Sequence, residues 1–228
     1  MSVIAFSLIP LGALLLGAIA AASRAPGPKV TSGVQHFAAG LVFAAAATEI
    51  LPDLKHQGAA VPVVVGGALG VLFMLMVKKL GESSKGPISF VAITSVDILV
   101  DGLVLGIGFA AGARQGLVLT IALTVEILFL GLSITLKLRQ TIPSRARVVA
   151  ITAAAGLLLP LGIAIGVPVS RLSAPYLTAV FAFSLVALLY LVVEELLVEA
   201  HGEPEGPFIT AMFFVGFLLL LVLEEMMA

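Results

Sequence analysis

The sequence predicts an all-α integral membrane protein with eight transmembrane helices. Of its 228 residues, 61% are hydrophobic and only 11% are charged, whereas about a quarter of a typical soluble domain is charged. The apolar residues also form long, nearly uniform runs. Strands of a membrane barrel are shorter and alternate between polar and apolar residues, so a barrel is not expected.

Charged residues and clusters of Pro and Gly separate the apolar runs, each of which is close to the roughly 20 residues that a spanning helix needs. No basic residue precedes the first run, which favours a span over a signal peptide. We expect a single transmembrane domain with short connections. The predicted spans cover about residues 2–23, 32–52, 59–80, 88–110, 115–139, 145–167, 174–200 and 206–228. Pro160 is expected to kink the sixth span.

The basic residues predict the orientation of the spans. Loops 1, 3 and 5 and their flanks carry nine of them: Arg24, Lys29, Lys78, Lys79, Lys85, Lys137, Arg139, Arg145 and Arg147. The opposite side carries three: Lys55, Arg114 and Arg171. We therefore expect loops 1, 3 and 5 in the cytoplasm, both termini outside, and a location in the plasma or inner membrane.

Spans 2 and 7 are similar at their ends. Span 2 ends in Glu49-Ile50-Leu51-Pro52-Asp53 with His56 beyond it, and span 7 ends in Glu195-Leu196-Leu197-Val198-Glu199 with His201 beyond it. Phe37 and Phe183 each lie twelve residues before the glutamate. The two spans run in opposite directions, so this similarity predicts a 3+2+3 arrangement in which spans 1–3 and 6–8 form an inverted repeat. The alternative is chance similarity between two apolar helices.

Three acidic residues lie in the middle of spans 4 and 5. Asp97 and Asp101 share one helix face because they are four residues apart, and Glu126 is expected at a similar depth. A charge at the bilayer centre costs about 2.5–3.5 kcal/mol on insertion scales. Because no Lys or Arg lies mid-span, the default interpretation is an ion or proton pathway. The alternative is protonated acids that bond to backbone or to Thr94, Ser95 or Thr124.

The chemistry of these acids favours a hard divalent cation. Close carboxylates repel one another, and their oxygens suit Mn²⁺, Mg²⁺ or Ca²⁺ and also hold Fe²⁺ or Zn²⁺. The chain has no cysteine and a net charge of −1, so thiolate sites are excluded and nucleic acid is not an expected partner. Binding of the metal is expected to release protons.

Three further glutamates are candidates for ports along the path, and the alternative for Glu49 and Glu195 is a solvated helix end. Glu49 lies near the outer end of span 2, and Glu194 and Glu195 lie near the inner end of span 7, where at most one of the two can face the path. The remaining acids are interpreted as solvated helix ends: Glu199, Glu203, Glu205, Glu224 and Glu225. His36, His56 and His201 are interpreted as isolated polar anchors.

These segments resemble the ZIP family of divalent-metal transporters, as a divergent member of bacterial type. Span 4 resembles the family's fourth-helix motif through Asp97-x-x-x-Asp101-Gly102-Leu103-x-Leu105-Gly106. Span 6 contributes Gly156-Leu157-Leu158-Leu159-Pro160-Leu161-Gly162, and span 7, from Leu189 to His201, is the most similar segment. The end of span 2 also fits. The resemblance implies eight spans with external termini, metal positions on helices 4 and 5, release-side ligands at Glu194 and Glu195, and a homodimer.

Several family ligands are replaced in this chain. Asp101 keeps the family's acid, Asp97 stands for a histidine, and Glu126 stands for a polar residue. Aliphatic residues stand at four other ligand positions: Ile98, Ile127, Leu130 and Leu159. Val100 and Phe129 replace two motif prolines, so helices 4 and 5 are expected to be straighter. One all-oxygen site then remains, which shifts the expected cargo from zinc toward Mn²⁺ or Fe²⁺.

The sequence therefore predicts a ZIP-like secondary transporter that moves a divalent cation toward the cytoplasm, with no resident cofactor. Asp97, Asp101 and Glu126 would bind the ion, Glu49 would admit it, and Glu195 would release it. The alternative is a degenerate homologue that senses or binds metal without transporting it. An intramembrane aspartyl hydrolase is disfavoured because two catalytic carboxylates must face each other across one bond, so the chain is not expected to be an enzyme.

Overall fold

The computed structural model describes residues 3–24, 26–52, 54, 59–83, 86–202 and 206–226. Within these ranges the chain forms eight helices that are long and apolar enough to cross a membrane, and no β-strand. They are α1 (Val3–Ser23), α2 (Pro28–Ile50), α3 (Ala60–Ser83), α4 (Pro87–Ala111), α5 (Ala113–Arg139), α6 (Arg145–Val169), α7 (Ala174–Ala200) and α8 (Pro207–Met226). The predicted all-α membrane class is confirmed.

Prolines fix several helix starts. Pro28, Pro87 and Pro207 are the first residues of α2, α4 and α8, a position where the missing N–H costs nothing. As a result α2 begins four residues before its predicted start. Some residues used in the predictions lie outside the described residues: Asp53, Lys55, His56, Lys85, Glu203 and Glu205.

Helix α6 is interrupted, whereas α4 and α5 are continuous. Segments Arg145–Gly156 and Leu158–Gly166 meet at Leu157, whose N–H donates to the Ala154 carbonyl in a tighter turn. Pro160 lacks the N–H that would bond the carbonyl four residues earlier, at Gly156, so the break lies one turn before the proline. Helices α4 and α5 contain 25 and 27 residues without such a break.

The helices pack in four close pairs: α1 with α5, α4 with α6, α2 with α8, and α3 with α7. Between α4 and α6 the contact is made by glycine. A Cβ on Gly102 would lie 2.2 Å from the Leu159 carbonyl oxygen, and a Cβ on Gly162 would lie 2.2 Å from that of Leu99. Small residues therefore let these two backbones touch, as in many membrane bundles.

The pairing agrees with the predicted inverted repeat. In such a repeat α1 corresponds to α6, α2 to α7, α3 to α8 and α4 to α5. The α1–α5 pair then corresponds to the α6–α4 pair, and the α2–α8 pair corresponds to the α7–α3 pair. Helices α2 and α7 also each contain a π-helical segment, Ala46–Ile50 and Leu191–Leu196. These segments hold the glutamates that the repeat matches. The repeat and the external position of the termini remain predictions.

The interior of the bundle is built around α4 and α5. In α5, 67% of the most apolar window is buried inside the protein, compared with 22% in α3 and 11% in α8. The acids of α4 and α5 are therefore in the part of the molecule most remote from the helices that face outward.

We predict that Gly162→Ala lowers the stability of the purified protein. The new methyl group would collide with backbone, and overpacking of this kind costs about 1–3 kcal/mol. Gly12→Ala is the matched control, because a Cβ at Gly12 meets nothing within 4 Å and alanine favours a helix. Thermal unfolding in detergent measures both. An unchanged melting temperature for Gly162→Ala would contradict the close α4–α6 contact.

Candidate metal centre

The three predicted central acids are buried. Asp97 is 2% exposed, and Asp101 and Glu126 are 0% exposed. Asp97 and Asp101 lie on one face of α4 because they are one helical turn apart, and Glu126 is at the midpoint of α5, which packs against α4. The sequence therefore predicted correctly that these side chains avoid the lipid.

Their oxygens have almost no hydrogen-bonding partners among the described residues. Both oxygens of Asp101, both of Glu126, and Oδ1 of Asp97 are buried without a hydrogen bond. The hydroxyls of Thr94 and Thr124 donate instead to carbonyls of their own helices, at Phe90 and Thr120. Neutralisation of the acids by these two hydroxyls is thus not observed.

Asp97 meets Glu195, which lies in the π-helical segment of α7. The two carboxyl groups lie within hydrogen-bonding reach of each other, and two carboxylates this close need a proton or a cation between them. The adjacent Glu194 has a different partner, because its Oε2 lies 2.8 Å from Nζ of Lys78 on α3. That at most one of the two consecutive glutamates faces the path stays a prediction.

A cavity of about 210 Å³, here called the inner cavity, lies between α4, α5 and α7. Its polar lining residues are Thr94, Asp97, Ser133, Glu194, Glu195 and Glu199. The space is large enough for a hydrated ion, since a cavity measured in this way needs only about 10–15 Å³ to hold one water. It lies toward the end where α4 begins and α5 and α7 end, the predicted cytoplasmic end.

Asp101 and Glu126 lie deeper than the Asp97–Glu195 pair and do not line the inner cavity. Glu126 interacts electrostatically with Asp101, Asp97 and Glu195. However, within the part of the chain that the structure describes, no three His, Asp or Glu side chains are close enough to hold one ion together. The structure thus brings Asp97 to Glu195 and does not gather the predicted three acids around one point.

Glu49 lies at the opposite end of the bundle. It is 6% exposed and lines a space of about 10 Å³ together with Ile107 and Gly108 of α4, Gln115 of α5 and Phe181 of α7. Such a space holds about one water at most. Of these two spaces, the larger one therefore lies at the predicted cytoplasmic end.

Some polar contacts were missed by sequence reasoning. His36 is 1% exposed, and the centre of its ring lies 5.2 Å from that of His201, so these histidines are neither isolated nor both interfacial. Glu199 is exposed, in agreement with its interpretation as a solvated helix end, but it also accepts a hydrogen bond of 2.8 Å from Gln35 Nε2. The spacing of four residues from Glu195 to Glu199 could have indicated a shared face. No sequence signal placed the start of α2 against the end of α7.

Comparison with known proteins gives one match. A family model described as "ZIP Zinc transporter" matches residues 79–224, which is more than half of the chain. The matched range includes Asp97, Asp101, Glu126, Glu194 and Glu195 but not Glu49. No curated protein matches the chain.

We predict that Asp101→Asn raises the stability of the metal-free protein by about 1 kcal/mol or more, because a buried charged group without partners costs more than a neutral one, for which the cost is about 1–3 kcal/mol. The acid must either bury a charge or take up a proton at neutral pH, whereas an amide does neither. Thr135→Val is the comparison variant, because the Thr135 hydroxyl lies 3.1 Å from that of Thr152 and its loss should cost about 1 kcal/mol. Thermal melts with a chelator measure both, and a destabilised Asp101→Asn would show that the acid is structurally satisfied.

Proposed function

We propose that this chain, which belongs to the ZIP family of divalent-metal transporters, carries its cation toward the cytoplasm along the buried carboxylates of α4, α5 and α7. The observation that carries the proposal is the contact between Asp97 and Glu195 at the wall of the inner cavity. Burying two adjacent carboxyl groups in a membrane protein costs considerable free energy. A cation that replaces a proton between them would offset this cost.

The positions of the acids suggest an order of steps. A cation admitted near Glu49 would pass to Asp101 and Glu126 in the closed centre, and then to Asp97 and Glu195 beside the inner cavity. The narrow space at Glu49 and the larger cavity at the other end support a conformation that faces the cytoplasm. Access would alternate through a movement between α4 and α7, where carboxyl groups rather than touching backbones make the contact near the site.

The donor atoms favour a hard cation. Asp97, Asp101, Glu126 and Glu195 offer only oxygen, and the residues Ile98, Ile127 and Leu159 at former ligand positions are 0% exposed in the apolar core. This supports a single chain of oxygen ligands with no second metal position beside it. We propose Mn²⁺ or Fe²⁺ as the preferred cargo, with Zn²⁺ carried less well.

A second candidate function is supported by the same aliphatic replacements. With four ligand positions lost and no preassembled group of three acidic or histidine ligands in the described ranges, the chain could bind metal as a sensor without moving it. In either role we propose a multi-pass protein of the plasma or inner membrane that acts as a homodimer.

We predict that reconstituted vesicles containing the protein take up Mn²⁺ and that Asp97→Asn and Glu195→Gln each reduce the initial rate at least about tenfold. Loss of even an indirect metal contact often costs 10–100-fold, and these residues are the proposed direct ligands. Glu225→Gln is the control, because Glu225 is exposed near the far end of α8. Asp101→Ala is expected to abolish uptake.

Uptake measured with Mn²⁺, Fe²⁺ and Zn²⁺ in turn distinguishes the transporter from the sensor. Faster uptake of Mn²⁺ and Fe²⁺ than of Zn²⁺ supports the transporter with an oxygen-only path. Stoichiometric Mn²⁺ binding without uptake by any metal supports the sensor. Uptake that is insensitive to both Asp97→Asn and Asp101→Ala would sink the proposed site.

A further inference from the structure

A second cavity continues from the inner cavity toward the end of α7. It has a volume of about 370 Å³ and is here called the vestibule. Its polar lining residues are Thr31, Ser32, Gln35, Ser133 and Glu199. Phe129, Ser133 and Glu199 line both cavities, so the two spaces meet at these three side chains.

Glu199 is held in place at this junction. Gln35 Nε2 on α2 donates a 2.8 Å hydrogen bond to Oε2 of Glu199, and Ser32 Oγ donates a 2.9 Å hydrogen bond to the carbonyl of the next residue, Ala200. The amide takes one of about four lone-pair positions on the carboxylate and leaves its charge uncompensated. The carboxylate is therefore positioned by α2 and still able to bind a cation.

Other carboxylates line the approach to Glu199, and one of them has a buried oxygen whose lack of a hydrogen-bond partner indicates a ligand there. Asp97 is 2% exposed, lines the inner cavity, and has an Oδ1 without a hydrogen-bond partner. Glu195 follows, and Glu199 lies one helical turn beyond it on the same face of α7. Glu194 does not compete for a cation on this route, since Lys78 Nζ lies 2.8 Å from its Oε2.

A basic side chain lies near the end of this route. Lys137, near the end of α5, interacts electrostatically with Glu199. A positive charge beside a carboxylate weakens its attraction for a metal ion. Glu199 is thus suited to a transient contact that releases its ion, rather than to tight storage.

We infer that Glu199 is the exit ligand of the cation path and that Gln35 is its positioning residue. A hard divalent cation passes from Asp97 and Glu195 to Glu199, with the Ser133 hydroxyl beside it, and leaves through the vestibule. This inference rests on the proposed transport function and adds a step to it, at a residue that the sequence assigned to solvent.

The first experiment compares Mn²⁺ uptake into vesicles with equilibrium Mn²⁺ binding measured by the EPR signal of the free ion. For Glu199→Gln and Gln35→Ala the maximal uptake rate is expected to fall about tenfold, while binding to the Asp97–Glu195 pair changes less than about twofold. The Mn²⁺ concentration at half-maximal rate should stay unchanged in Gln35→Ala, although loss of its partly buried hydrogen bond lowers the melting temperature. A merely structural role would lower Mn²⁺ binding together with uptake, and Glu225→Gln serves as the control.

A second readout needs no flux. The chain contains no cysteine, so Ser133→Cys introduces a single thiol at the junction of the two cavities. A membrane-impermeant thiol reagent supplied at the cytoplasmic face is expected to label it, and Mn²⁺ is expected to slow the labelling. Adding Glu199→Gln should remove most of this protection.

The outcomes distinguish a failure of the exit-ligand inference from a failure of the proposed transport function. Wild-type uptake and full Mn²⁺ protection in Glu199→Gln would overturn the exit ligand, even if Asp97→Asn abolishes transport. If the wild-type protein shows no uptake at all, the proposed function fails. In that case protection of the Ser133→Cys thiol that depends on Glu199 still supports a cation at this residue, and its absence overturns the inference.

Discussion

The burial of acidic side chains without basic partners is the constraint on which the rest of the structure depends. Asp97, Asp101 and Glu126 are almost inaccessible, and Lys78 is paired with Glu194 instead. Transfer of an unpaired charge into an apolar interior is too costly to persist, so each acid needs a proton or a cation. Such a structure is stable only if the surrounding helices keep lipid away and a route supplies the compensating charge.

The helix packing excludes lipid in one part of the bundle and provides the route for charge in another. Glycine-mediated contact between α4 and α6 joins backbone to backbone, which leaves little freedom of movement there. Between α4 and α7 the contact near the site is made by carboxyl groups instead. The π-helical segments Ala46–Ile50 and Leu191–Leu196 are at the two ends of the acidic route, and π-helical turns often occur at functional sites because the extra residue redirects side chains. The tight backbone contact is thus on the α6 side of α4, and the polar contact is on the α7 side. A two-state movement requires a rigid part and a separate contact that can change.

Hydropathy and charge were sufficient to predict the eight helices and the inward orientation of the central acids, because both follow from the cost of exposing charge to lipid. Partners on other helices were not predictable in the same way. The contact of Asp97 with Glu195 depends on a π-helical segment that shifts the helical phase of α7, and the sequence contains no marker of that shift. The break in α6 was expected at Pro160, but it lies at Leu157 because the unpaired carbonyl is one turn earlier. The meeting of His36 with His201 depends on how α2 and α7 are rotated about their axes.

The charge distribution along α7 explains how an ion could leave the proposed path of carboxylates. In the centre, Asp101 and Glu126 have no positive neighbour among the described residues and would hold a cation most strongly in low dielectric. Toward the predicted cytoplasmic end, Lys78 neutralises Glu194 and Lys137 acts on Glu199, while the cavities admit water that screens each remaining charge. The attraction for a divalent ion therefore decreases from the centre outward. The aliphatic residues Ile98, Ile127, Leu130 and Leu159 weaken binding at the centre itself, because fewer donor atoms there make the ion easier to release.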